Sequence, residues 1–198
     1  MDLAVLAAEA GHPGRAGRLK TAMQATHERL DAAIMARRPF ANREAYGRFL
    51  EVQFRFHREV APFYRHAGAR SLIPEMEARQ RLHLICSDFL DLGMTVPDAS
   101  VRVERAVDDA TALGWLYVAE GSNLGAAFLL KEAAKLGLSE TFGARHLAPA
   151  PEGRGRHWKT FVAALDAAVV PPEGEHRVVA GAREAFHDVR RHVADLFG

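Results

Sequence analysis

Apolar residues recur along this chain at intervals of three and four positions, the spacing that places them on one face of an α-helix. The pattern predicts a first helix over about residues 18–38, which stops before Pro39. A second helix is expected to begin at about Asn42, a good N-cap residue, and Pro62 is expected to kink or break it. Strand signals are scarce, because the chain has no Asn-Gly or Asp-Gly hairpin turn and no clean run of alternating β-branched residues.

The rest of the chain continues the helical pattern. A third helix is expected from about Pro74 to Gly93, since proline suits a first helical turn and glycine suits a C-terminal cap. A long segment rich in alanine and leucine follows at about residues 108–136, and then a helix around Trp158 and a last helix over about residues 176–197. The sequence therefore predicts an all-α protein.

Length and composition indicate one folded domain. At 198 residues the chain can bury a single large core, and its hydrophobic fraction of 48% is ordinary for a globular protein. Residues 1–17 hold an apolar stretch followed at once by glycine and proline, so we expect a flexible tail there and one domain over residues 18–198. No repeat or low-complexity linker marks a second domain.

Charge and cysteine content narrow the class of protein. With 26 Lys and Arg against 25 Asp and Glu, the chain lacks the basic excess of a dedicated nucleic-acid binder. Cys86 is the only cysteine, which rules out an intramolecular disulfide and favours the cytoplasm. The apolar stretch near the N-terminus is too short to span a bilayer, so we expect no membrane association.

Three glycines interrupt the long Ala- and Leu-rich segment. Gly114, Gly121 and Gly125 each cost a helix about 1 kcal/mol relative to alanine. Their spacings of seven and four predict one shared helix face, flanked by Tyr117 and Phe128, where the missing Cβ atoms let another group approach the backbone. Spacing alone leaves two explanations open, namely close packing against another helix and contact with a flat ligand.

Two longer motifs favour the second explanation, contact of the glycines with a flat ligand. The string from Ala112 to Phe128, ALGWLYVAEGSNLGAAF, resembles the distal-helix signature of bacterial heme oxygenases. The segment from Leu19 to Asp31, LKTAMQATHERLD, is similar to the first helix of the same family, on which a histidine binds the heme iron. A single histidine among ten would be a weak signal, but the two motifs support each other.

The resemblance implies a single-domain helical bundle with heme between the first, proximal helix and a kinked, glycine-containing distal helix. His27 would be the iron ligand, and Gly121 and Gly125 would lie over the opposite face of the heme. Asp31, one turn after His27, would hold the second ring nitrogen of the histidine. The family commonly has Glu at that position, and the shorter Asp could leave a water molecule between the two groups.

The resemblance also assigns roles to residues elsewhere. His57 and Arg81 would organise a water network near the heme, the alternative for each being an ordinary surface residue. Heme carries two propionates, which need cations or hydroxyl groups at the mouth of the pocket. The candidate heme contacts are Lys20, Tyr117, Ser122, Phe128, Lys131, Arg183 and Phe186.

The implied activity is cleavage of heme to biliverdin, ferrous iron and CO, with heme as both substrate and prosthetic group. The reaction consumes O2 and electrons from an external donor, such as ferredoxin, a flavoprotein reductase or ascorbate, and biliverdin could pass to an accepting protein. A non-catalytic heme carrier or sensor on the same fold remains the alternative. A di-iron site is disfavoured, because that chemistry needs paired Glu-x-x-His motifs on facing helices, and the pair of Glu173 and His176 directly follows two prolines.

Overall fold

The computed structural model describes residues 13–72, 76–98 and 108–198, and this part of the chain is helical with no strand. The α-helices are α1 (Arg15–Ala36), α2 (Arg43–Arg65), α3 (Ala67–Leu72), α4 (Leu82–Asp91), α5 (Asp109–Ala134), α6 (Arg154–Ala167) and α7 (Pro172–Phe197). Two short 3₁₀ turns cover Met76–Arg79 and Arg145–Leu147. None of the helices in the described ranges is both long and apolar enough to cross a membrane. The predicted all-α class is confirmed.

The first helix begins earlier than predicted. Arg15 is buried, and its guanidinium donates a hydrogen bond of 3.0 Å to the carbonyl oxygen of Ala168 and one of 2.7 Å to the Glu175 carboxylate. These distant partners draw residues 15–17 into α1, so that part of the predicted tail belongs to the folded domain. Residues 1–12 of the predicted tail lie outside the described residues.

The second helix begins as predicted but does not break. The Asn42 side chain accepts a hydrogen bond of 2.8 Å from the Ala45 amide, which confirms the N-cap. Helix α2 continues through Pro62 to Arg65. Because Pro62 stands in the last turn, it removes only one hydrogen bond close to the helix end, and continuing the helix buries Tyr64.

The predicted third helix is wrong in its first half. The described residues show a 3₁₀ turn over Met76–Arg79, and α4 begins only after Arg81. Arg79 and Arg81 both turn their side chains into the protein, where they bind distant groups, and these contacts compete with a continuous helix. The predicted end is confirmed, since Gly93 follows α4 with a φ of +67°, a backbone conformation that favours glycine. Pro74 lies outside the described residues.

Helices α5 and α7 form the centre of the molecule. Helix α5 is helical through all three of its glycines, while α7 begins at Pro172 rather than near His176, with proline in its first turn. Gly114 of α5 and Gly181 of α7 lie in the crossing of these two helices, and a Cβ at either position would collide with the backbone of the other helix. For Gly114 the packing explanation is therefore correct.

Helix α7 supports α1 and α5, the two helices that hold the sequence motifs around His27 and Gly125. It packs against α5, α1 and α2, and the largest apolar cluster of buried residues includes side chains from all four helices. Phe186, at the middle of α7, is only 6% exposed and belongs to this cluster. The position of α1 relative to α5 is thus set largely through α7.

Candidate functional site

His27 projects from α1 and is accessible. Its side chain is 58% exposed, and its Nδ1 atom lies 3.3 Å from a carboxylate oxygen of Asp31. This direct approach leaves no room for the water molecule that the shorter Asp could have required. The imidazole also meets the Phe186 ring edge to face, with 5.9 Å between ring centroids. An imidazole held through Nδ1 presents its Nε2 lone pair to a metal ion.

Two opposing effects act on the pKa of the Asp31 carboxyl group. Partial burial raises its pKa above the ordinary value, and the neighbouring His27 opposes that rise. A carboxyl group at this position is suited to accept the Nδ1 proton of a coordinated histidine, which orients the ring and strengthens its ligand character.

The three glycines of α5 lie on one face of a continuous helix, as their spacing predicts, but they have different surroundings along its length. Gly114 is buried against α7, as described above. At Gly121 an added Cβ would lie 3.6 Å from the indole ring of Trp158, an ordinary van der Waals distance. At Gly125 an added Cβ would have no heavy atom within 4 Å. Of these three glycines, Gly125 is the one that combines an exposed position with open space beside it.

Apolar side chains surround this open stretch. Leu124 is 43% exposed and Phe128 is 53% exposed, unusual values for large apolar residues on a helix of this length. Tyr117, one turn before Gly121, packs on Trp158 with 5.7 Å between ring centroids. Burial raises the pKa of Tyr117, so its hydroxyl stays protonated and can donate a hydrogen bond. The combination fits a flat, largely apolar molecule with polar groups at its edge.

The predicted propionate contacts lie on several elements. Lys20 on α1, Lys131 on α5 and Arg183 on α7 are all exposed. The Ser122 hydroxyl donates a hydrogen bond of 2.7 Å to the carbonyl oxygen of Ala119 within α5, so its remaining capacity is as an acceptor. These three cations therefore lie at the surface of three different helices.

His57 and Arg81 are buried, which rejects the alternative that they are surface residues. Arg81 donates hydrogen bonds of 2.8 Å to the carbonyl oxygens of His146 and Ala148 in and beside the second 3₁₀ turn. Burial, with smaller contributions from His146 and Arg81, lowers the pKa of His57 to about 3. His57 is therefore neutral at physiological pH, with one ring nitrogen that donates and one that accepts.

Sequence reasoning missed a second buried polar group, centred on Glu120. One oxygen of its carboxylate accepts hydrogen bonds of 2.9 and 2.6 Å from Arg79, and the other accepts one of 2.8 Å from the Tyr64 hydroxyl. The Nε2 atom of His157 lies 3.3 Å from the same carboxylate. Burial alone would raise the pKa of Glu120, but the contacts with His157, Arg79 and Tyr64 hold it below its usual value. The signal was a charged residue among the apolar positions of the long Ala- and Leu-rich segment.

Three comparisons with known proteins agree with the motifs. A family model described as heme oxygenase matches residues 94–195. The heme oxygenase PigA of Pseudomonas aeruginosa is 42% identical over 174 residues, which cover 87% of this chain and 88% of PigA. The NO- and CO-bound heme oxygenase of Neisseria meningitidis has a similar fold, with a TM-score of 0.86 and 40% sequence identity over 94% of each chain.

Proposed function

Because this chain belongs to the heme oxygenase family, we propose that heme lies between α1 and α5, with His27 on one face and the stretch around Gly125 on the other. The chain is a heme-degrading oxidoreductase, and heme is both its substrate and its prosthetic group. Heme supplies the iron that activates O2 and the porphyrin ring that is opened to biliverdin, with release of ferrous iron and CO. The comparisons support this activity rather than the carrier or sensor alternative.

The observation that carries the proposal is the exposed imidazole of His27. The side chain is 58% exposed, with the Asp31 carboxylate near Nδ1 and the Phe186 ring beside it, so Nε2 is the ring nitrogen that would bind the iron. Asp31 would fix the tautomer and the ring orientation, and Phe186 would restrict rotation of the imidazole. These three residues would form the proximal side of the site.

The distal side would be formed by the backbone of α5. Open space at Gly125 would let the flat porphyrin approach the helix, and Gly121 would contribute its backbone one turn earlier. The Phe128 side chain is exposed to solvent, and it would cover part of the apolar edge of the porphyrin. Because Gly125 has no side chain, nothing at this position would compete with O2 for the space beside the helix.

The charged edge of the heme would meet cations and hydroxyl groups. Lys20 lies seven residues, or about two turns, before His27 on α1, which would place its ammonium group beyond the heme edge. Tyr117 would donate a hydrogen bond from its protonated hydroxyl. Ser122, Lys131 and Arg183 are the further candidates, and which of the cations binds which propionate would set how the ring is rotated in the site.

His57 and Arg81 would act through ordered water. A neutral, buried imidazole can both accept and donate a hydrogen bond, so His57 can hold water molecules without serving as a strong acid. Arg81 would keep the second 3₁₀ turn in place through its two bonds to backbone carbonyl oxygens. Water held in this way would deliver the protons that the reaction consumes.

The reaction also needs partners. O2 and a reductase are part of the activity of the family. We propose ferredoxin or a flavoprotein reductase as the electron donor, with ascorbate as a chemical substitute, and a biliverdin-accepting protein downstream. Cytoplasmic location is part of the same proposal, supported by Cys86 as the single, free cysteine.

Replacing His27 by Ala tests the assignment. In air, with heme and then ascorbate or a reductase, the unchanged protein should lose its Soret band while biliverdin absorbance grows. We expect His27→Ala to lower the turnover rate at least about 100-fold, because the iron bond is lost, and added imidazole should restore part of it. Its unfolding free energy should change by less than about 0.5 kcal/mol, because the side chain is exposed.

The matched control is His83→Ala, which removes an exposed histidine from α4. It should turn over heme as the unchanged protein does. Full activity of His27→Ala without imidazole would refute the ligand assignment, and an unchanged Soret band in the original protein would refute turnover altogether.

A further inference from the structure

Glu120 directly precedes Gly121 on α5, and its carboxylate gathers side chains from three other elements. Tyr64 comes from α2, Arg79 from the first 3₁₀ turn and His157 from α6. Glu120 is only 1% exposed, and a buried carboxylate is costly to keep unless cations and hydrogen-bond donors surround it. Apolar side chains in place of this cluster would also keep α5 in the core. The charged cluster therefore points to a need for a defined geometry of α5 around Glu120.

The same cluster also connects the first turn of α6 to α5. Arg79, besides its two bonds to Glu120, donates a hydrogen bond of 2.9 Å to the carbonyl oxygen of His157. The His157 ring lies between two carboxylates, with Nε2 3.3 Å from Glu120 and Nδ1 2.7 Å from Glu152. The Glu120 contact raises the pKa of His157, which favours the charged form of the ring inside the cluster.

Trp158 follows His157 and connects the cluster to the distal side of the site. Its indole ring lies 3.6 Å from the position of a Cβ on Gly121 and packs against Tyr117. Rotation of α5 or withdrawal of α6 would therefore change the spacing between Trp158 and Gly121. Glu120 opposes both movements, because it belongs to α5 and binds the residue next to Trp158.

We propose that Glu120 is a positioning residue, which through Arg79 and His157 fixes where Gly121 and Trp158 lie relative to bound heme. This inference rests on the proposed binding of heme along α5. The carboxylate itself is buried behind the helix and need not touch the substrate. Displacement of a reacting geometry by about 1 Å can cost about 100-fold in rate, so a residue that acts only on position can matter to turnover.

The test compares Glu120→Gln with Glu59→Gln. Gln keeps the size of Glu120 and removes its charge. Glu59 forms a similar buried pair with His192, at 3.1 Å between α2 and α7, and lies outside the proposed site. Hydrogen exchange of the heme-free proteins measures local order, and heme titration with turnover assays separates heme Kd from kcat.

We expect Glu120→Gln to speed exchange at residues 117–125 and 154–160 about tenfold, with little change elsewhere. Its kcat should fall about 100-fold while its heme Kd changes less than about threefold. Glu59→Gln should show neither effect. Glu120→Asp, which keeps the charge, should retain more activity than Glu120→Gln.

Glu120→Gln could unfold, because it leaves Arg79 as an unpaired buried charge. The double variant Glu120→Gln with Arg79→Gln removes both charges, and it should show the same local increase in exchange and the same loss of kcat. If exchange stays unchanged at residues 117–125, or rises equally across the protein while activity follows the folded fraction, the proposal is wrong. Faster local exchange with unchanged kcat would also overturn it.

The two proposals can fail separately. If the unchanged protein does not bind heme or turn it over, the proposed function fails. The exchange measurement needs no heme, so it still decides whether Glu120 orders the segment around Gly121.

Discussion

The three glycines of α5 illustrate how much a single residue depends on what lies beside it. Gly114 allows two helix backbones to approach, Gly121 faces an indole ring at van der Waals distance, and Gly125 faces open space. A Cβ would therefore have three different consequences at these positions. Only at Gly125 would a larger side chain occupy the space where we place the substrate.

Gly125→Leu should block the distal side without unfolding the protein. The new side chain would extend where an added Cβ has no heavy atom within 4 Å, so we expect no loss of folding stability and a small gain in helix propensity. It would occupy the space proposed for heme and O2, so heme affinity or turnover should fall at least about tenfold, measured by heme titration and biliverdin formation.

Ala127→Leu is the matched control for this change. Ala127 is also exposed on α5, but two residues further along it points to about the opposite side of the helix. It should bind and turn over heme normally. Normal binding and turnover by Gly125→Leu would show that the substrate does not lie against this stretch of α5.

At the scale of helices, α7 is the common support of the site. It carries Phe186 beneath His27 and crosses α5 where Gly114 meets Gly181. Glycine at both positions brings the helix axes closer than side chains would permit. The separation between the proximal and distal helices therefore depends on a crossing that contains none of the proposed ligand contacts.

Gly114→Ala should destabilise the protein through this crossing. The added methyl group would collide with the backbone of α7 near Val178, and overpacking of this kind costs about 1–3 kcal/mol. Urea unfolding of the heme-free protein measures the loss.

Gly155→Ala provides the comparison within another helix. Gly155 lies in α6 with no heavy atom within 4 Å of an added Cβ, so the same change should stabilise by up to about 1 kcal/mol. Equal effects of the two changes would show that Gly114 is not required for close helix packing.

Over the whole molecule, buried titratable groups link stability to pH in opposite directions. Burial lowers the pKa of His57 and of His146, so both are neutral when folded and take up protons on unfolding in acid. The raised pKa of His157 acts in the other sense, since the stability it contributes is present below its unfolded pKa and is lost as pH rises through its folded pKa.

We expect stability to fall as pH drops from about 6.5, the unfolded histidine pKa, towards the folded His57 pKa of about 3. At pH 5 the contribution of His57 to this loss should be about 2 kcal/mol. Urea unfolding at pH 7 and pH 5 should show a smaller loss for His57→Gln than for the unchanged protein. The control, His83→Gln, replaces an exposed histidine, and its pH dependence should match that of the unchanged protein.

If His57→Gln lost as much stability on acidification as the unchanged protein does, burial of His57 would not be the cause of the acid sensitivity.

The sequence by itself determined the helical class, most helix positions and the family. Apolar periodicity is a local property, and caps such as Asn42 and Gly93 act within a few residues, so both can be read from short stretches. The motifs around His27 and Gly125 are similarly contiguous, which is why they indicated the family that the comparisons confirm. The roles of individual site residues stay predictions.

Only the tertiary structure decided which polar residues are inside and what each glycine faces. Arg79 reaches Glu120 across 41 positions, and Arg81 reaches the His146 carbonyl across 65, so no local pattern could reveal either contact. Arg15 belongs to the folded domain, and the first half of the helix predicted over residues 74–93 contains a 3₁₀ turn instead. The physical reason is that a buried charge is stable only where distant partners surround it, and the packing of whole helices determines where that happens.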